Sequence, residues 1–151
     1  MAINKTLHLA RDICDNVVSH CQRCYPKEAC GIVGGRGNKG EIVYALENVS
    51  DSPRLCYFID PREQLRVFKD LRGRGLAPLA IYHSHTGSPA YPSSRDIELA
   101  FYPESFYVIV SLQDKDQPQL RAFRIVEGKI EESEIKGTED TSCPIKGLKV
   151  S

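Results

Sequence analysis

The sequence has no surplus of charge of either sign: 20 Lys and Arg stand against 20 Asp and Glu, for a net charge of zero. A surface that grips a nucleic-acid backbone or an anionic membrane needs a basic excess, so neither partner is expected. No apolar run approaches the length of a membrane span. The opening Met1-Ala2-Ile3-Asn4-Lys5 lacks the basic-then-apolar form of a secretory signal, which makes the cytoplasm the expected location. Without such a signal, the six cysteines (Cys14, Cys21, Cys24, Cys30, Cys56 and Cys143) are expected as free thiols rather than disulfides. Cys21-Gln22-Arg23-Cys24 has no second C-x-x-C to complete a zinc knuckle, and its segment reads as helical, so these thiols are expected on a helix face. The glycines of Gly35-Arg36-Gly37-Asn38-Lys39-Gly40 lack the Lys-Ser/Thr and the following helix of a phosphate loop, and a hairpin turn is the better reading.

The 151 residues, 41% of them hydrophobic, suffice for one globular domain. Leu7, Ala10, Ile13, Cys14, Val17, Val18 and Cys21 recur at helical spacing, predicting a helix over 6–24 with Thr6 as its cap. Glu28 to Gly35 and Glu41 to Val49 read as a strand hairpin, and 56–59 as a short strand. Asp60-Pro61 opens a helix that runs through Leu71 and stops at Gly73-Arg74-Gly75. The spacing then predicts a strand over 76–82, a short helix over 96–102 capped by Ser93 or Ser94, and a central strand over 105–112. A hairpin of 120–126 with 129–135 completes the pattern. This order makes an α/β fold: one domain with a mixed sheet and helices on both sides. Residues 1–136 are expected as that domain and 137–151 as a loose tail.

One stretch carries chemistry. An apolar strand runs into His83-Ser84-His85, a loop with two prolines follows, and Ser93 and Asp96 stand where the next helix begins. Strand side chains alternate, so His83 and His85 face the same way and could share one cation. Asp96, returned by the loop, could be a third ligand. Two histidines and a carboxylate with the fourth position open is a catalytic rather than a structural zinc arrangement. Hydrolysis at such a centre also needs a base and a donor to the oxyanion. Glu28 is a candidate base, because an idle charge opening an apolar strand is costly to bury. Ser93 is a plausible hydroxyl donor. Each has a plainer alternative: Ser93 as a helix cap, Asp96 as a first-turn carboxylate favouring the helix dipole.

Glu28, His83-x-His85, seven residues, Ser93, two residues and Asp96 resembles the motif of the JAMM (MPN-plus) metalloprotease family. Pro26-Lys27-Glu28-Ala29-Cys30-Gly31 and Ala90-Tyr91-Pro92-Ser93 are similar to its short, single-domain bacterial branch, and the resemblance covers roughly residues 5–135. It implies a layered fold similar to that of the cytidine deaminases. It also implies Zn2+ held by His83, His85 and Asp96, with Glu28 as general base and Ser93 stabilising the oxyanion. The implied reaction is hydrolysis after the C-terminal glycine of a ubiquitin-like protein. In the short bacterial members the implied partner is a sulfur-carrier protein ending in Gly-Gly, from which cysteine or a short extension is released. The short segments 48–54 and 111–119 favour such a peptidase over a polyubiquitin isopeptidase. An isopeptidase, a general small-peptide metallopeptidase and a metal-free scaffold of the same fold remain as alternatives, although this chain lacks none of the ligands. A zinc deaminase is set aside, since H-x-E and P-C-x-x-C are both missing.

Overall fold

The computed structural model describes residues 6–137 and 148–150. In chain order the elements are β1 (Thr6–His8), α1 (Arg11–Cys24), β2 (Cys30–Arg36), β3 (Lys39–Leu46), α2 (Pro61–Gly73), β4 (Ala77–His85), α3 (Ser94–Glu98), β5 (Phe106–Ser111), β6 (Gln119–Val126), β7 (Lys129–Gly137) and β8 (Leu148–Val150). The strands form one sheet in the order β1-β3-β2-β4-β5-β6-β7-β8. β1 also pairs with β7, so the sheet closes on itself. The sheet is mixed: β2–β3, β2–β4, β5–β6 and β6–β7 are antiparallel, while β1–β3, β1–β7, β7–β8 and β4–β5 are parallel, the last pair joined by the crossover that contains α3. The mixed α/β architecture with helices on a central sheet is therefore as expected.

Two apolar clusters flank the sheet. On one side Ile13, Cys14, Val17, Val18 and Cys21 of α1 pack on Val33, Ala80, Tyr82, Val108 and Val110. On the other, Val67 and Leu71 of α2 pack on Ile32, Ile81, Tyr107 and Ile125. Each fully buried aliphatic side chain stabilises by roughly 1.5–3 kcal/mol, so both helices are held by their apolar stripes rather than by propensity. Close approach demands glycine at two points. A Cβ at Gly34 would strike Leu71, and one at Gly31 would strike the Tyr82 ring and the Tyr44 carbonyl. The alternation along β4 sends Ala80 and Tyr82 toward α1 and Ile81 toward α2. His83 and His85 continue the Ile81 face by the two-residue period.

Four local expectations are corrected. Residues 6–8 are a strand, and α1 starts only at Arg11, after Ala10, which makes no side-chain cap bond. Leu7 and Leu9 are buried in strand alternation, and the main chain is bound on both edges, His8 N donating to Asn38 O and Leu9 N to Lys136 O. Residues 56–59 form no strand; Ile59 alone bridges to Asn48, Cys56 O and Phe58 N bond to the Asn48 side chain, Cys56 N donates to Ser52 O, and Phe58 O accepts from Val49 N. α3 begins at Ser94 and ends at Glu98, earlier than expected, because Ser93 caps it and the cap defines the first turn. β2 proper starts at Cys30, leaving Glu28 and Ala29 just before the ladder. Of the stretch expected as a tail, 138–147 (with Cys143) and Ser151 lie outside the described residues, while Leu148–Val150 pair in parallel with β7. Cys21, Cys24, Cys30 and Cys56 are free thiols. No helix among the described residues is long and apolar enough to cross a membrane.

Candidate metal centre

β4 ends in the two histidines, and the loop from Thr86 to Pro92 brings α3 back against them. His83 Nε2 lies 3.1 Å from Asp96 Oδ1, and His85 Nε2 lies 3.0 Å from Asp96 Oδ2. The two Nε2 atoms are 3.1 Å apart. Donors at zinc–ligand distance around a tetrahedral centre stand about 3.3 Å from one another, so this spacing is that of a nearly formed site. Tautomer chemistry points the same way. His85 Nδ1 is 2.8 Å from the Pro89 carbonyl, which can only accept, so Nδ1 carries a hydrogen, and in the neutral ring Nε2 is the lone pair a metal would take. Two ring nitrogens and a carboxylate thus converge on one point, a donor set suited to a cation. The residues fit a divalent cation such as zinc.

All three side chains are buried. Burial lowers the His83 pKa and outweighs the upward pull of Asp96, favouring the neutral ring that a metal needs. Burial also pushes on His85, but the bonds to Asp96 and Pro89 outweigh it and raise that ring. For Asp96, burial acts upward, yet the hydrogen bonds from His83 and His85 hold the carboxyl far below the usual range. The Tyr57 ring stacks on His83 with centroids 4.4 Å apart and planes at 23°, which holds the imidazole in place.

Ser93 and Glu28 complete the neighbourhood. Ser93 is the N-cap of α3: Asp96 N donates to its Oγ at 3.2 Å, and Ser93 N donates to Asp96 Oδ2 at 2.8 Å. The plain cap reading of Ser93 is therefore true, and it leaves the hydroxyl hydrogen free for another acceptor. Glu28 is 6% exposed, and its Oε1 is buried without a hydrogen-bond partner. Desolvation raises its pKa to about 8, with His85 pulling down and Asp96 pushing up. A buried carboxylate oxygen without a donor is costly in a native fold and calls for an explanation. His83 Nδ1 is likewise buried without a partner.

Beside the centre lies a groove of about 500 Å³ lined by Tyr57, Phe58, Leu65, Phe68, Phe101 and Tyr102, among others. Tyr57 is the wall it shares with the His83 ring. Phe58 (45%), Leu65 (55%) and Phe101 (69%) leave much of their apolar surface in water, unusual for a cluster with no partner. Sequence reasoning missed this groove, because its residues come from three separated segments. It also missed Tyr57 and Asn48, whose roles depend on tertiary contacts. Only the small polar Ser84 between two histidines, in a strand otherwise apolar, offered a local signal.

A family model described as prokaryotic homologs of the JAB domain matches residues 10–126. The chain belongs to this family. Among its relatives, the CysO-cysteine peptidase of Mycobacterium tuberculosis is 36% identical over 135 residues, 88% of this chain and 92% of that protein. A probable TtuB-protein conjugate cleaving protease of Thermus thermophilus is 39% identical over 123 residues, 82% of this chain and 78% of its own. The solution structure of a protein from Desulfitobacterium hafniense superposes with a TM-score of 0.80 at 37% identity, covering 90% of this chain and 95% of that one. A JAB1/MPN domain protein from Archaeoglobus fulgidus shares the fold with a TM-score of 0.62 at 18% identity, over 88% of this chain and 100% of that one. The expected relationship to the JAMM/MPN proteins is thus correct.

Proposed function

We propose that the protein is a zinc-dependent peptidase that cleaves after the C-terminal glycine of a ubiquitin-like sulfur-carrier protein ending in Gly-Gly, releasing cysteine or a short extension. The observation that carries the reading is the convergence of His83, His85 and Asp96, three metal-binding side chains whose ligand atoms all lie within 4.8 Å of one another. Relatives named for cleaving CysO-cysteine and TtuB conjugates support the substrate class. His83, His85 and Asp96 would hold the zinc, which would supply Lewis acidity for the scissile carbonyl and for activating water near neutral pH. Glu28 takes the proton of the attacking water on its unpartnered Oε1 and delivers it to the leaving nitrogen. A carboxyl held near neutrality by burial suits a group that must first accept and then give up a proton. Ser93 turns its free O–H to the developing oxyanion while its lone pair keeps the cap bond to Asp96 N. The apolar groove takes the extended segment that precedes the glycines. The reading includes a cytoplasmic location, supported by the free thiols of Cys21, Cys24, Cys30 and Cys56.

The test is to incubate the protein with a sulfur-carrier protein bearing a Gly-Gly-Cys end, with and without chelator, and to weigh the products. Loss of the terminal residue only without chelator is the expected result; an intact carrier, or cleavage that chelation leaves unchanged, overturns the reading. A second reading, cleavage of an isopeptide bond to a protein lysine, is favoured by the relative from Haloferax volcanii named desampylase, 32% identical over 111 residues. A carrier joined through Gly-Gly to a lysine side chain distinguishes the two.

A further inference from the structure

The backbone of Glu28 and Ala29 is held in an unusual way. Continuing the β2–β3 register places Glu28 opposite Asn48, and continuing the β2–β4 register places Ala29 opposite Ser84. At both positions a side chain stands in for the main chain. Ala29 N donates to Ser84 Oγ at 2.8 Å, not to the Ser84 carbonyl, although Ser84 N still donates to Ala29 O at 3.1 Å. On the other edge, Asn48 Nδ2 donates to Glu28 O at 3.0 Å, and Glu28 N donates to Pro53 O at 2.7 Å. Asn48 is itself fixed: Nδ2 also donates to Cys56 O at 3.0 Å, and Oδ1 accepts from Ser50 N and Phe58 N, each at 3.0 Å.

The consequence is geometric. In a regular antiparallel ladder Glu28 would stand directly across from His85, with Cβ atoms about 4.5–5.5 Å apart and no room between carboxylate and imidazole. With the Ser84 hydroxyl in place of its carbonyl, the regular ladder ends at Cys30 and His83, before Glu28 reaches that position. The carboxylate has no tether of its own, since Oε1 is unpartnered, so its aim rests on the backbone that carries it. Asn48 joins that backbone to the loop that presses Tyr57 on His83.

We infer that Ser84 and Asn48 are positioning residues for Glu28: together they set it off from the metal ligands by the width of a water. The inference rests on the reading of Glu28 as the base. A packing residue would cost stability alone, whereas a positioning residue costs turnover at constant metal content and constant KM. Zinc-loaded Ser84→Ala, Ser84→Thr, Asn48→Ser and Glu28→Gln are compared with the parent on the Gly-Gly-Cys carrier. Ser84→Ala and Asn48→Ser should each keep full zinc and a KM within threefold, with kcat lowered tenfold to a hundredfold. Ser84→Thr, which keeps the acceptor, should recover to within fivefold of the parent. Parental kcat in zinc-loaded Ser84→Ala and Asn48→Ser, with Glu28→Gln inactive, overturns the positioning role and leaves the reading of Glu28 intact. Loss of zinc or of folding in both variants shows that the clamp serves the fold and also overturns it. Glu28→Gln with parental turnover, or a parent that does not cleave, overturns the reading of the base or of the substrate, and the positioning role with it.

Discussion

Ser93 and Asp96 bind each other reciprocally, each main-chain N–H of the pair donating to the other's side chain, at 2.8 Å and 3.2 Å. One capping box thus starts α3, aims a carboxylate at two histidines and parks a hydroxyl beside them. The cap and the hydroxyl can be separated. Replacing a cap Ser by Gly costs only a few tenths of a kcal/mol, against about 1 kcal/mol for Ala. Ser93→Gly should therefore melt close to the parent and keep its zinc. Its kcat should fall by roughly a hundredfold or more, the usual effect of losing an oxyanion donor. Melting curves and steady-state kinetics on one preparation check this; parental kcat in Ser93→Gly would reduce the hydroxyl to a cap.

His85 and Glu28 face the same centre but are assigned opposite tasks, so their variants should fail differently. His85→Ala removes a ligand and should weaken zinc binding by more than the roughly 10–100-fold typical of losing an outer-shell partner. Glu28→Gln should retain stoichiometric zinc and lose roughly 10²–10⁴-fold in kcat, the usual range for a general base. Metal analysis after dialysis against a weak chelator, paired with turnover, separates them. Unchanged zinc in His85→Ala would show that the ligand set is wrong.

Much of this was legible in the chain because the information is local. Two-residue alternation puts His83 and His85 on one face, and Asp60-Pro61 announces α2. What was not legible depends on distant partners. Residues 6–8 fit the apolar spacing of a helix, yet they bond to Asn38 on one side and to β7 on the other, and those contacts override the local pattern. Asn48 looks like any polar turn residue; only the fold sets Glu28, Cys56 and Phe58 around its amide. The groove is a property of the surface where α2, the Tyr57 loop and the end of α3 meet, and no window of sequence contains it.

Burial of Glu28 makes a prediction for the metal-free protein. Its carboxyl rises from 4.5 to about 8, so between these values the folded state binds a proton that the unfolded state releases. Stability then falls as pH rises: the contribution of the protonated carboxyl is fully present below about pH 4.5 and lost through about pH 8. Glu28→Gln abolishes this dependence. In excess chelator the variant should match the parent near the lower limit and exceed it by on the order of 5 kcal/mol above the upper one. Urea titrations across the window give the comparison. Parallel stability curves for the two proteins would mean that Glu28 is ionised and solvated in the folded state.

The groove predicts where specificity resides. Leu65 and Phe101 project apolar surface into water beside Tyr57, at 55% and 69% exposure, so neither is needed for the fold. Exposed substitutions of this kind usually change stability by less than about 0.5 kcal/mol. If the carrier's segment before Gly-Gly buries an apolar side chain here, the contact contributes roughly 1.5–3 kcal/mol, or about tenfold to a hundredfold in affinity. Leu65→Asp and Phe101→Asp should therefore raise KM by that factor while zinc content, melting temperature and kcat at saturation stay near parental values. A short peptide ending in Gly-Gly-Cys, without the preceding apolar segment, should be cleaved equally by parent and variants, because it never reaches the groove. A KM for the full carrier that both substitutions leave unchanged would place the recognition surface elsewhere on the molecule.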